Sequence, residues 1–515
     1  MAFLAIRTSC VLRLSSATAF STILLTLALA GCSSSSSSSP TQTQPGNPVG
    51  ANLIEISSDP YTIGPGQHAT EVEPHMLANG STLVAAFQTG RIVPGGATDI
   101  GWATSTDGGS TWSHGFLPGL TTGAGTGPYD AASDPAVAYD AKHGVWMIAS
   151  LPLSNTFTPP AVAVSRSSDG LNWQSPISVD PTATNSDKNW IVCDSWPSSP
   201  HYGNCYIEWD DPSNADEIVM STSTDGGLTW GAPVSTANSA KGIGGQPLVQ
   251  PNGTVVVPIE TTSMSAFVSS DGGGSWTAPV TISNLQFHTD AGGIRSGQMP
   301  SAAMDGAGTV WVVWEDCRFR ANCSTNDLVY STSSDGVAWS AVTRIPIDDT
   351  SSTVDHFIPG IGIDPATSGT GAHVALHYYY YTQSDCTVAT CQLTVGYISS
   401  ANGGATWNMP VILSGPMLLS WLPNSQNGLM VGDYVATAFT SGVPHGIFAV
   451  ASAASGTTFA EAMYTAPGLT VAAAGRQLSS ARDKPLHKLS DQLEKEIPEK
   501  GVKPPLRRNR RSRSK

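Results

Sequence analysis

Ser105-Thr106-Asp107-Gly108-Gly109-Ser110-Thr111-Trp112 returns five more times along the chain, with small changes. The later copies are Ser167-Ser168-Asp169-Gly170 to Trp173, Ser223-Thr224-Asp225-Gly226-Gly227 to Trp230, Ser269-Ser270-Asp271-Gly272-Gly273 to Trp276, Ser333-Ser334-Asp335-Gly336 to Trp339, and Ser399 through Asn402-Gly403-Gly404 to Trp407. Successive copies lie 46 to 67 residues apart, and a fixed motif at such a period marks an architecture repeated from one supersecondary unit. Each copy follows an alternating apolar run such as Ala161-Val162-Ala163-Val164-Ser165 and precedes a short strand such as Trp230-Gly231-Ala232-Pro233-Val234, so each is a hairpin turn. The carboxylate or amide of Asp107, Asp169, Asp225, Asp271, Asp335 and Asn402 is suited to accept backbone N–H groups inside the turn. Glycine supplies positive φ there, and the tryptophan lies back over the hairpin. One group repeated around a scaffold is a folding device, so these six residues are read as structural.

Upstream of each turn a further pair of strands begins near Pro74, Pro135, Trp190, Pro247, Pro300 and Pro359, and a seventh start at Tyr434 has no turn motif. Four strands per repeat, repeated radially, make a β-propeller. The expected fold is therefore all-β, a propeller of four-stranded blades with seven blades favoured over six. The early strand Asn52-Leu53-Ile54-Glu55-Ile56 is expected to complete the last blade and lock the ring.

Composition agrees: 40% of residues are hydrophobic, with 14 Trp and 13 Tyr, but only 12% are charged, and 52 Gly and 36 Pro leave little room for helices. Residues 476–515 carry 13 Lys/Arg against 5 Asp/Glu, whereas residues 32–475 carry 9 against 34. So acidic a body argues against nucleic acid as a partner, because phosphate contacts need clustered basic residues.

The chain opens with Arg7 and Arg13 ahead of a short apolar stretch ending in Leu29-Ala30-Gly31-Cys32. This reads as an export signal over residues 1–31, and Leu-Ala-Gly-Cys resembles the bacterial lipobox, which implies lipidation of Cys32. The alternative is an ordinary secretory signal with an incidental cysteine. A Ser/Pro-rich tether over 32–50, a folded body over 51–468 and a basic tail over 469–515, expected to be disordered, complete the layout. The six remaining cysteines fall into close pairs, Cys193/Cys205, Cys317/Cys323 and Cys386/Cys391. Short-range disulfides are the simplest connectivity, with zinc the weaker reading. The expected location is the bacterial cell envelope, lipid-anchored and facing the periplasm or exterior.

The Ser-x-Asp-x-Gly-x-x-Trp repeat resembles the Asp-box, or BNR repeat, of the sialidase superfamily. The resemblance covers about residues 51–468 and implies an exported bacterial sialidase-like lipoprotein. It implies a glycoside hydrolase of exo-α-sialidase type; the alternative is a non-catalytic propeller that binds a glycan or a protein. A sialidase grips its substrate carboxylate with three arginines and uses a tyrosine nucleophile with an aspartate acid/base. By resemblance, Tyr434 in Gly432-Asp433-Tyr434 takes the nucleophile's place, Asp99 the acid/base's, and Arg91, closing Gln88-Thr89-Gly90-Arg91, assists binding. The clamp itself is missing: Val72-Glu73-Pro74, Pro258-Ile259-Glu260 and Cys391-Gln392-Leu393 stand where its arginines should be. A rebuilt clamp has only Arg295, Arg318, Arg320 and Arg344 to draw on besides Arg91 and Arg166.

Glycosidases in general need two carboxylates, one of raised pKa. Glu73, Asp134, Asp187, Glu315, Asp316 and Asp433 stand near the ends of first strands and are the candidates, with Arg318, Glu315, Asp316 and Asp433 assigned to substrate binding. Asp187/Lys188 is a candidate ion pair closing the channel. No cofactor or catalytic metal is expected; Asp210-Asp211 is the one pair considered for a structural calcium. The expected partners are a carbohydrate or glycoconjugate and, through the anchor, a membrane; the expected state is a monomer.

Overall fold

The computed structural model describes residues 47–471 apart from 183, 184 and 457. The export signal with Cys32, most of the tether and nearly all of the basic tail lie outside the described residues. The fold is all-β. Five four-stranded antiparallel sheets stand beside an eight-stranded one, which is two four-stranded units joined at a single bridge, Ala97 to Ala132. With that sheet divided there are seven four-stranded units, called here sheets one to seven. Their first strands are Gln67–Asn79, Ala131–Asp140, Asp187–Cys193, Leu248–Val249, Ser301–Met304, Asp355–Ile363 and Ala436–Thr440. A small hairpin, Asn424–Ser425 with Gly428–Leu429, precedes the seventh.

In sheets one to six the chain runs strand by strand outward from the first, and the repeated motif turns the third strand into the fourth. Its mechanism is visible at Asp107, which accepts the Ser110 and Thr111 N–H groups at 3.0 and 2.9 Å and the Ser105 and Thr111 hydroxyls. These bonds, the Thr111 hydroxyl first, hold its carboxyl down at about 2. The Trp112 indole N–H donates to the Gly109 carbonyl, 3.2 Å away, as the lid. In the sixth copy the serine that bonds Asn402 is Ser400, one residue later than the Ser399 with which the sequence reading began it.

Sheet seven has no motif and is completed from the far end of the chain. Ile54–Glu55 pairs antiparallel with Glu461–Thr465 as its outer strand, as expected. The ordered body also reaches past its expected ends. Pro48 accepts the Gly415 N–H and the Ser414 hydroxyl, and the Thr470 carbonyl accepts the Tyr397 hydroxyl.

Each sheet is covered on both faces, so its strands read as continuous apolar runs. On Thr82–Arg91, Leu83, Ala85 and Phe87 face a core shared with Ile447 and Phe448 of sheet seven, whereas Val84 and Ala86 pack with Val137 and Ile148 of sheet two. Val255 and Val257 likewise join Tyr206 and Met220 of sheet three, and Val256 joins Val310 and Val312 of sheet five.

The three cysteine pairs form the short-range disulfides expected, Cys193–Cys205, Cys317–Cys323 and Cys386–Cys391, which points to an oxidising compartment. Their settings differ in a way the spacing does not reveal. Cys193 and Cys205 face each other across the first two strands of sheet three. Cys323 lies on no strand: it ends the short 3-10 turn Ala321–Cys323 in left-handed backbone, φ 53°, and its N–H donates to the Arg320 carbonyl at 3.2 Å. Its bond to the buried Cys317 therefore ties down the irregular connection that carries Arg318 and Arg320, instead of joining two strands. No helix among the described residues is long and apolar enough to cross a membrane.

Close approach of backbones fixes the second strand of sheet seven against sheet six. A Cβ at Gly446 would lie 2.3 to 2.5 Å from three atoms of the buried His377 ring, whose Nδ1 is held at 2.7 Å from the Thr437 hydroxyl. Gly446→Ala is therefore expected to cost about 1–3 kcal/mol by overpacking, read as a lower urea midpoint. An unchanged midpoint would mean that the ring has room to swing aside.

Candidate functional site

Four first strands share one local distortion. Glu73, Asp134, Lys188 and Ile358 have φ of 55°, 48°, 48° and 49°, and each sits in a break of register, between Val72 and His75, Ser133 and Ala136, Asp187 and Trp190, and Phe357 and Gly360. Three of the four precede a proline. Left-handed backbone is rare for residues with a Cβ, and concentrated strain of this kind recurs at functional sites. A bulge re-aims the side chain it carries, and here it sends the side chains of Glu73, Asp134 and Lys188 to one place.

Lys188 Nζ lies 3.0 Å from Asp134 Oδ1 and 3.5 Å from Glu73 Oε1, and it also bonds Asp433. Arg295, from the long connection between sheets four and five, meets Asp433 with two nitrogens and Glu73 at 3.6 Å. The backbone of residues 431–433 presses on this group: Glu73 N–H donates to the Val431 carbonyl at 3.2 Å, and a Cβ on Gly432 would come within 2.8 Å of Glu73 N. Gln88 joins through Glu73 and, at 3.1 Å, Ser133, and Arg91 Nη1 bonds Gln88 Oε1 at 3.3 Å and the Gly96 carbonyl at 2.5 Å.

Burial and charge set the protonation states. Glu73, only 1% exposed, is pushed up to about 7, by burial first and by Asp134 and Asp433 after it, although Lys188 and Arg295 pull the other way. Burial would raise Asp433 too, but Arg295 and Lys188 outweigh it and hold that carboxyl well below the usual range. Lys188 stays charged because Asp134, Asp433 and Glu73 together overcome its desolvation. Two neighbouring carboxyls are thus driven apart, one carrying a proton near neutrality and one ionised.

Two or three residues beyond the cluster, the seven first strands begin to line a cavity of about 350 Å³, whose wall includes His75, Val137, Trp190, Pro247, Ser301 and Val435. Side chains stitch its wall together: Val137 N–H donates to His75 Nδ1 at 2.8 Å, Ala302 N–H to Gln246 Oε1 at 2.9 Å, and Ile361 N–H to the Ser301 hydroxyl at 3.0 Å.

The residues singled out from sequence divide accordingly. Glu73, Asp134 and Asp433 come together, with Arg91 one side chain away. Tyr434 flanks them, its ring edge-on to Trp190 at 5.1 Å and 5.8 Å from Lys188 Nζ. Its hydroxyl donates to the Pro135 carbonyl at 3.3 Å, and burial followed by Glu73, Asp134 and Asp433 drives the phenol well above its ordinary range, which opposes a phenolate nucleophile. Asp99 shares none of these partners. It is fully buried on the third strand of sheet one, accepts the Tyr61 hydroxyl at 3.3 Å, and is raised by burial to about 7.

Glu315 accepts from Gln298 at 3.3 Å, and Asp316 is occupied locally, bonding Arg318 and the Trp314 indole. Arg320 and Arg344 are locked to Asp327 and Asp348. The expected Asp187/Lys188 pair is corrected: the Lys188 ammonium instead reaches Glu73, Asp134 and Asp433. Asp210-Asp211 is corrected as well. The two lie on one strand, where successive side chains point to opposite faces, and Asp211 instead caps Ser213 N–H at 2.9 Å.

Sequence reading missed the part played by Arg295, which arrives on an irregular connection with no motif. Acid-proline pairs at two first strands, Glu73-Pro74 and Asp134-Pro135, were the signal that could have singled out those two carboxylates.

No family model matches the chain, and no curated protein matches it by sequence. Solved structures do resemble it at low identity. A protein of unknown function from Dyadobacter fermentans is 16% identical, with 68% of this chain and 100% of that one covered and a TM-score of 0.43. A polysaccharide lyase described as an ulvan lyase is 13% identical, covering 80% of this chain and 96% of that one, TM-score 0.46. A Hadza microbial sialidase is 14% identical over 78% of this chain and 66% of its own, TM-score 0.38.

Proposed function

We propose that the seven sheets are the blades of a seven-bladed β-propeller and that the protein is a glycoside hydrolase of the cell envelope, anchored through Cys32 and active as a monomer. The propeller reading rests on first strands that pack in chain order, the seventh again touching the first, and on the strand that closes sheet seven from the other chain end. The hydrolase reading rests on one observation: the carboxylates of Glu73, Asp134 and Asp433 converge on Lys188, and two of them, Glu73 and Asp433, also meet Arg295.

Glu73, holding a proton near neutrality, protonates the departing glycosidic oxygen. Asp433, kept ionised by Arg295 and Lys188, faces the positive charge that develops on the sugar; water then adds to that carbon, and the proton it loses restores the Glu73 acid. This assignment replaces the Tyr434 and Asp99 pair with two carboxylates. It also bears on the sugar. Only two arginines stand at this site among the described residues, Arg295 bonded to Asp433 and Arg91 to Gln88 and Gly96, so the three-arginine grip on a sialic acid carboxylate is not assembled and a sugar held through its hydroxyls is the better substrate.

Fluorogenic glycosides, sialosides included, test this on the purified protein. Turnover is expected, and Glu73→Gln should lower it by about 10²–10⁴-fold, the usual worth of a positioned acid. Tyr434→Phe removes only the hydroxyl bonded to Pro135: carboxylate chemistry survives that change, whereas a tyrosine nucleophile does not. A folded protein that turns over no glycoside refutes the hydrolase. The non-catalytic, glycan-binding reading then takes its place, favoured by the mutual pairing of the buried charges.

A further inference from the structure

Two groups of acids and histidines outside the central cluster bring ligand atoms within reach of one ion among the described residues, and the charges of both are already paired. Asp327 and Asp348, beside His356, are neutralised by Arg320 and Arg344. In the group of His288, Asp290 and Asp355, every carboxylate oxygen has a hydrogen-bond partner among Asn326, Ser296 and His288.

A pair of acids on sheet three differs. Among the described residues, Glu208, Asp210 and Glu461 have both carboxylate oxygens buried without a hydrogen bond. Glu208 and Asp210 stand two apart on Cys205–Asp211, so their side chains leave the same face of sheet three, and both are 0% exposed. Asp187 lies directly opposite Asp210 on the first strand. The chain entering sheet four walls the patch, for a Cβ on Gly245 would lie 2.6 Å from the Glu208 carboxyl carbon. Within the adjoining bulge the Asn189 side chain is 1% exposed, and neither its Oδ1 nor its Nδ2 is bonded. The neighbouring cation, Lys188, is spent on the central cluster. Bare carboxylates cannot stay ionised in such surroundings without a cation.

We propose that Glu208 and Asp210, the unbonded carboxylates on this face of sheet three, bind a divalent cation of calcium type. All the donors are oxygens, the set that hard cations take, and no thiolate or imidazole among them favours zinc. The ion would stiffen sheet three beside the bulge that carries Lys188, and with it one wall of the site.

The test uses the purified full chain stripped with a chelator and titrated with calcium chloride alone. About one Ca²⁺ per chain is expected by elemental analysis, with a thermal midpoint that rises with calcium and then saturates. Glu208→Gln and Asp210→Asn remove a buried charge without changing shape. Both should stay folded in chelator, with midpoints at or above that of the stripped parent, and both should lose the calcium-dependent rise, which Asp211→Asn keeps. A stripped parent that neither binds calcium nor shifts overturns the proposal and means that the acids carry protons. A rise that survives in both amide variants also overturns it, by placing the ion elsewhere.

Discussion

Lys188→Met is expected to unfold the protein more readily by about 3–5 kcal/mol, the usual penalty for removing one partner of a buried ionic group. Methionine fills much the same volume, so packing is not the cause. The loss comes from Glu73, Asp134 and Asp433, which Lys188 bonds from three directions; without it, Arg295 alone must neutralise both Glu73 and Asp433. The effect should depend on pH in a stated sense. Glu73 takes its proton near pH 7, and a protonated acid misses the lysine less, so the penalty measured in urea should be smaller at pH 5 than at pH 8. A variant as stable as the parent at pH 8 would show that the charges are more hydrated than their burial implies, and would remove the basis for giving Glu73 its raised pKa.

The stability of the parent protein should itself peak in mildly acidic solution. Glu71 and Asp290 are raised by burial to about 8, and Glu73 and Asp99 to about 7. Between the ordinary carboxylate range and those values the folded chain holds protons that the unfolded chain has released. Raising the pH there favours unfolding, by about 1.4 kcal/mol per group per pH unit.

His75 and His377 act in the opposite sense. Burial lowers both to about 3, so as the pH falls below the unfolded histidine value near 6.5 the unfolded chain gains protons that the folded one refuses. From about pH 4.5 to 6.5 the four acids outweigh the two histidines, so stability still falls as the pH rises, by about the slope of two groups. Above that range only the acids act and stability falls toward pH 8; below it the histidines act, joined by the protonation of Asp433. Urea midpoints across the pH range should trace this dome, and Glu71→Gln should flatten its alkaline side. A midpoint that climbs from pH 6 to pH 8 would contradict the burial of these four carboxyls.

The repeat was legible because it is local. Asp107 and its counterparts bond to N–H groups within four residues, so their whole mechanism lies inside the octapeptide that announces it. The same holds for the disulfides between near cysteines and for strand boundaries set by short turns, although the left-handed turn at Cys323 had no signal in the spacing that paired it with Cys317. The closing strand, Ile54–Glu55, could be anticipated because one repeat was short of a strand and one strand was short of a repeat.

The site was legible only in part. Glu73, Asp134 and Asp433 were recognisable as acids at first strands, but so were Asp187, Glu315 and Asp316, and nothing in the chain order separates those that meet Lys188 from those that do not. Sequence by itself therefore determined the unit and the kind of residue available at each strand start, and favoured seven units over six. Only the tertiary structure decided which of them meet. A left-handed bulge aims three side chains at one point, a connection without pattern brings Arg295 to them, and burial among unlike charges, a property no single segment possesses, divides one carboxyl that keeps its proton from another that cannot.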